Sequence, residues 1–140
     1  DSIGERMAKI GNEFGATTGR PRRCGWLDLV SLKHSITVNG VTDLIMMKGD
    51  VLSGINKIKV CTKYNYNGNA VDYLPFSIEE ENIEPIYEEI DGWEEDITQA
   101  KSYNDLPLNF KNYVEFLEDK LNLKIKIVSV GPDRTQTIFV

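Results

Sequence analysis

Apolar positions recur at helical spacing from the start of the chain, where Ile3, Met7, Ile10 and Phe14 share one face and Gly11 and Gly15 supply stops. That pattern predicts a short amphipathic helix. A second helix is predicted to carry Leu29, Leu32 and Ile36, with Asp28 as its N-cap and Asn39-Gly40 as its end. The continuous run Leu44-Ile45-Met46-Met47 reads as a strand buried on both faces, which favours a parallel sheet. From Ile58 through Val60, Thr62, Tyr64 and Tyr66 the side chains alternate, and Asn67-Gly68 separates them from Val71 and Tyr73. Asn-Gly supplies the positive φ angles of a two-residue type I′ turn, so this stretch predicts a hairpin. Glu79-Glu80-Glu81 reads as a solvated segment, and Ile83 to Ile90 as a strand that Pro85 pushes to a sheet edge. Leu106, Phe110, Val114, Leu117 and Leu121 mark an amphipathic helix opened by Asp105. The alternating strand Leu123, Ile125, Ile127 follows and ends in the turn Ser129-Val130-Gly131-Pro132. The sum is an α/β chain of parallel strands with helices plus an antiparallel β-hairpin, and nothing divides residues 1–140 into more than one domain.

Composition narrows the class. At 140 residues and 41% hydrophobic the chain suits one domain with a real core. A net charge of −6 and a pI near 4.8 argue against general nucleic-acid or membrane-surface binding, because a negative field repels phosphates. No apolar stretch approaches the roughly 20 residues that span a bilayer, and Asp1-Ser2-Ile3-Gly4-Glu5 lacks the marks of a signal peptide. The expectation is a soluble, cytoplasmic protein. The missing initiator methionine suggests a processed chain or one excised from a longer protein. Cys24 and Cys61 form neither a metal spacing nor a disulfide framework and are expected to be free thiols.

Against this acidic background the run Gly15-Ala16-Thr17-Thr18-Gly19-Arg20-Pro21-Arg22-Arg23-Cys24-Gly25-Trp26 concentrates hydroxyls, glycines and three guanidiniums. Glycine admits close backbone approach, threonine donates hydrogen bonds, and arginine offers a planar fork matched to carboxylate or phosphate. A surface turn, a basic patch and a helix N-cap are the plainer readings. The flanking Thr-Thr-Gly and Cys-Gly-Trp favour a ligand loop, anchored on its C-terminal side by a buried tryptophan. Its place ahead of the second helix would add the helix dipole to its pull on anions. Lys48-Gly49-Asp50 lies just past the carboxyl end of the strand at 44–47, the side on which open α/β sheets bind ligands. There an aspartate can accept both the ring N–H and the exocyclic amine of guanine, a pairing adenine cannot offer, while the lysine stem lies along the base. A turn with a local ion pair is the plainer reading. His34, the single histidine, has no acidic or nucleophilic partner motif near it, and Trp93 and the hairpin tyrosines read as core and surface filler.

Gly11-Asn12-Glu13-Phe14-Gly15 with the loop through Asp28, then Lys48-Gly49-Asp50-Val51-Leu52, Glu84-Pro85-Ile86-Tyr87-Glu88 with Gly92-Trp93, and Ser129-Val130-Gly131-Pro132-Asp133-Arg134-Thr135 together closely resemble the adenylosuccinate synthetase family. The segments stand in the family's order and spacing, over essentially the whole chain but only the C-terminal third of a family member. The resemblance implies a C-terminal portion of a P-loop-NTPase-like fold. It also implies part of a ligase that couples GTP hydrolysis to joining IMP and L-aspartate in AMP biosynthesis, with a homodimeric parent.

Carried over by residue, the resemblance assigns Ala16, Thr17, Thr18, Gly19, Arg20, Pro21 and Arg22 to the loop that closes on L-aspartate, with Thr18 and Arg20 meeting its carboxylates. Arg20 would also approach the IMP ribose. Arg22 would stand between the aspartate site and the GTP phosphates, where a fixed guanidinium can stabilise charge developing in phosphoryl transfer. Lys48, Gly49 and Asp50 would recognise guanine, and Ser129, Val130 and Gly131 would line its pocket. Gly49 and the preceding Met46-Met47 depart from the family's more usual Leu-Thr-Lys-Leu-Asp. The phosphate loop, the general-base aspartate, the catalytic histidine and the Mg²⁺ site would all lie in the family's N-terminal region, so no catalytic or metal-binding residue is expected here. The alternative is a non-catalytic anion- or nucleotide-binding module built on the arginine loop.

Overall fold

The computed structural model describes residues 2–77, 79 and 82–140. Glu80 and Glu81 of the expected solvated segment lie outside the described residues, and Glu79 is exposed. The chain runs α1 (Ser2–Ile10), β1 (Leu27–Asp28), α2 (Leu29–Asn39), β2 (Leu44–Met46), β3 (Lys57–Tyr66), β4 (Asn69–Val71), β5 (Ile83–Asp91), α3 (Leu108–Leu121), β6 (Ile125–Ser129) and β7 (Thr137–Phe139). Strands β1, β3, β4 and β5 form one sheet and β2, β6, β7 a second. Each sheet mixes parallel and antiparallel pairs: β1 runs parallel to β3 and β2 parallel to β6, while β4 and β5 oppose β3 and β7 opposes β6. The expected α/β class with a hairpin is what the structure shows.

The hairpin closes as its turn residues require. Asn67 and Gly68 sit at φ 50° and 80°, and Tyr66 pairs Asn69 across the two-residue turn. Strand β5 pairs β3 on its other side, from Ile83 opposite Tyr66 to Asp91 opposite Lys57, and keeps Pro85 at an edge.

One core joins the two sheets and the helices. Trp93 stands at its centre, with its ring 4.9 Å from Phe110 in an edge-on contact and its Nε1 donating to Ser53 Oγ at 3.1 Å. Phe110, Val114, Leu117 and Leu121 form the buried stripe of α3, as their spacing predicts. Helix α1 is pinned by Arg6, which donates to Gly54 O at 2.8 Å and Ser53 O at 2.9 Å, the turn just beyond the Lys48-Gly49-Asp50 segment.

Four expectations change. Phe14 leaves the α1 pattern and instead bridges Pro21 across the arginine loop, because the helix stops at Ile10 and Gly11 N returns to Met7 O. Asp105 does not open α3: its carboxylate caps the preceding short turn, accepting from Lys101 N, Ser102 N and Ser102 Oγ, and α3 begins after Pro107. The run at 44–47 is parallel to its neighbour but not buried on both faces. Ile45 and Met47 are 59% and 66% exposed, on a face that none of the described residues buries. Ile45, Ile127 and Phe139 stand in register across β2, β6 and β7 and so share that face.

The fourth change concerns the start of α2. Asp28 is its N-cap, and Oδ1 accepts from Val30 N at 3.0 Å and Ser31 N at 3.1 Å. The helix terminus is therefore occupied by the chain's own carboxylate and does not serve the arginine loop as an anion site. Asp28 Oδ2 accepts the hydroxyl of buried Tyr64, which ties the helix start to β3. Asp28→Ala is expected to cost about 1–2 kcal/mol by removing the cap, read as a lower urea midpoint at unchanged slope.

Candidate functional site

Strands β2 and β6 run parallel, with Met46 opposite Val128, so the chain leaves both at the same end of the sheet. Lys48-Gly49-Asp50 and Ser129-Val130-Gly131 are consequently neighbours, at the carboxyl ends where the sequence placed the first of them. A short 3₁₀ turn, Gly49–Leu52, follows β2, and Lys48 enters it at φ 60°. Gly49 is needed for packing: a Cβ there would lie 2.8 Å from the Phe110 ring and 3.3 Å from Ser129 O. The Phe110 ring thus fills the space that a side chain at position 49 would take.

Asp50 carries the feature most suggestive of a ligand. Its Oδ1 is buried and, among the described residues, has no hydrogen-bond partner. Nearly all buried acceptors in folded chains are satisfied, and an orphan costs about 1–3 kcal/mol. The segment at 129–131 contributes differently from what side-chain reasoning suggests. Val130 is fully buried in the core, and the Ser129 hydroxyl donates to Gly131 O at 3.0 Å.

The arginine loop is a laced hairpin. Gly15 N donates to Arg20 O and Gly19 N to Gly15 O, at 2.9 and 2.8 Å, and Arg22 N donates to Glu13 O at 2.9 Å. Thr18 Oγ1 accepts from Arg20 N at 3.3 Å, so the two residues assigned to carboxylate binding sit together at the tip. Ala16, Thr17, Thr18, Gly19, Arg20, Pro21 and Arg22 are all exposed. Among the described residues the guanidiniums of Arg20 and Arg23 make no hydrogen bond or ion pair, which leaves Arg20 its whole fork. Cys24 and Trp26 pack against the core at half burial, so the loop's C-terminal anchor is real but not deeply buried.

What sequence reasoning missed is Glu13. One of its carboxylate oxygens accepts from Lys48 Nζ and the other from Arg22 NH1 at 2.9 Å, while Lys48 Nζ also reaches Gly11 O at 2.7 Å. This single carboxylate joins the two segments that the sequence left separate. The available signal was an acid set between α1 and a run of guanidiniums. Lys48 first and Arg22 second hold the Glu13 carboxyl below its ordinary value of 4.5. The tie is therefore complete above that value and is lost as pH falls through the lowered native one. In a carbon-detected NMR titration Glu13 is expected to titrate below 4.5, and Lys48→Met to move it back up.

Beside this tie lies a cavity of about 310 Å³, walled by Met7, Trp26, Leu27, Met46, Ile58 and Leu117 with Glu13 and Lys48 at its polar side. Both cysteines are free, and burial pushes the Cys61 thiol up to about 11, which makes it inert. His34 is exposed on α2. Among the described residues no three His, Cys, Asp or Glu side chains are grouped to hold a metal ion. Among them, too, no helix is long and apolar enough to cross a membrane.

A family model described as adenylosuccinate synthetase matches residues 1–138. The adenylosuccinate synthetase of Christiangramia forsetii is 63% identical over 138 residues, which are 99% of this chain and 33% of that protein. That of Flavobacterium johnsoniae is 57% identical over the same extent. A solved structure of fully ligated adenylosuccinate synthetase from Plasmodium falciparum matches with a TM-score of 0.94 at 35% identity, covering 100% of this chain and 34% of that one. The chain spans about a third of the length of the relatives it matches. Extending over nearly every residue and agreeing in both sequence and fold, these matches show that the chain belongs to the adenylosuccinate synthetase family.

Proposed function

We propose that this chain supplies the guanine-reading and L-aspartate-binding arms of an adenylosuccinate synthetase, acting in the cytoplasm as the C-terminal part of a homodimeric enzyme. That enzyme joins IMP to L-aspartate with hydrolysis of GTP, giving adenylosuccinate, GDP and phosphate. The observation that carries the reading is the orphan Oδ1 of Asp50, a buried acceptor placed at the carboxyl end of a parallel strand beside a second backbone turn. Guanine offers two adjacent donors to one carboxylate, whereas adenine opposes its ring acceptor to it. Arg20, with its fork uncommitted, is suited to the aspartate carboxylate and stands within the loop that would also meet the IMP ribose. Arg22, oriented by Glu13, is suited to charge that develops at phosphate. Mg²⁺ would accompany GTP on residues other than these. Family membership favours this reading over a non-catalytic anion-binding module.

In this reading the phosphate loop, the general-base aspartate and the catalytic histidine belong to the N-terminal region that the family resemblance implies, and the residues named here bind and orient. A synthetase of family length carrying this segment is expected to form adenylosuccinate with GTP and not with ATP. The 140 residues alone are expected to form none above a no-protein control. Equal use of ATP, or turnover by the isolated chain, would sink the reading.

A further inference from the structure

Glu13 is mounted as a fixed part. Its backbone N donates to Ala8 O at 2.8 Å and its carbonyl accepts from Arg22 N at 2.9 Å, so both sides of its peptide are held. Its side chain is only 19% exposed, although the cations it binds, Lys48 and Arg22, are 48% and 60% exposed. The more buried and better anchored group is thus the carboxylate, and the two long cationic side chains are positioned by it. Lys48 is secured a second time by Gly11 O at the end of α1, so its ammonium is held by two groups. An anchored ammonium fixes the four-carbon stem, the part of Lys48 suited to lie against a base. Arg22 gives Glu13 one terminal nitrogen and keeps its remaining donors for a ligand.

We propose that Glu13 is a positioning residue that couples the guanine site to the aspartate loop, by holding Lys48 and Arg22 in one shared arrangement. The proposal rests on the functional reading above. Its logic is that of linkage. Ordering either arm around Glu13 orders the other, so a ligand that favours the joined arrangement at one site removes part of the ordering cost at the second. A neutral amide keeps the shape of the side chain but replaces two ion pairs by one weak acceptor and a donor that faces cations.

The test uses a synthetase of family length carrying this segment, with IMP and a non-hydrolysable GTP analogue present, so that binding constants are equilibrium values and no chemistry intervenes. Calorimetry gives the affinity for L-aspartate with and without the analogue, and for the analogue with and without aspartate. In the wild type each ligand is expected to tighten the other by a factor of about 5 or more, equally in both directions. In Glu13→Gln that factor is expected to fall to about 1 while IMP affinity is kept, which a general loss of structure would not spare. Glu13→Asp keeps the charge and loses a methylene, so it is expected to lie between the two, and it decides the matter should the amide variant fail to fold. Coupling at wild-type strength in either variant overturns the proposal. If Asp50→Asn shifts nucleotide choice while coupling survives Glu13→Gln, only this inference falls. If nucleotide choice also fails to move, the assignment of the guanine site falls with it.

Discussion

Asp50→Asn, in a synthetase of family length, is expected to swing nucleotide preference from GTP towards XTP. The wild-type carboxylate presents acceptors only, and its buried Oδ1 has no donor within the described chain. Guanine supplies two donors, its ring N–H and its exocyclic amine. An asparagine keeps one acceptor and turns an NH₂ towards a guanine donor, which leaves buried groups opposed at a cost of about 1–3 kcal/mol or more. GTP should therefore weaken by about 5-fold to 150-fold, since each 1.4 kcal/mol is a factor of ten. Xanthine carries a carbonyl where guanine carries the amine, so the same NH₂ gains an acceptor and XTP improves relative to GTP. The measurement is the ratio of kcat/KM for the two nucleotides in wild type and variant. A ratio that does not move towards XTP would return Lys48-Gly49-Asp50 to the status of a structural turn.

The second large effect concerns the tip of the arginine loop. Arg20→Leu is expected to raise the KM for L-aspartate and lower kcat/KM for it by the equivalent of roughly 2–5 kcal/mol, the cost of truncating one partner of a desolvated charge pair. The free fork of Arg20 motivates this, as does the Thr18 hydroxyl held against its backbone N–H. The KM for GTP should change far less, because Arg20 takes no part in the Glu13 tie. Unchanged aspartate kinetics would show that the loop is not the carboxylate clamp.

Much of this was legible in the sequence because local rules agreed with the fold. Asp28 as a cap, Gly40 at φ 61° ending α2, the Asn67-Gly68 turn and the buried stripe of α3 each follow from side-chain chemistry within a few residues. The placement of Lys48-Gly49-Asp50 past the carboxyl end of β2 was legible too, since strand polarity decides which end of a sheet a motif follows. Asp105 misled because an acid ahead of an apolar helical pattern looks like that helix's cap, whereas a nearer turn took it. The run at 44–47 misled because hydrophobicity shows that a face is to be covered and not whether this chain covers it. The tie through Glu13 spans 35 residues to Lys48, and no periodicity encodes a contact of that range.

The outer row of Ile45, Ile127 and Phe139 also bears on how the isolated chain will look at the bench. Ile45 is 59% and Phe139 76% exposed, on a sheet whose β2 edge is unpaired among the described residues. Such a surface takes up apolar reporter dyes as readily as a half-melted core does. Bright dye fluorescence from a preparation of these 140 residues would thus accompany a fully packed Trp93 cluster, and near-ultraviolet circular dichroism, which reads the fixed asymmetry around that tryptophan, is the signal that separates a well-folded but adhesive protein from a molten one.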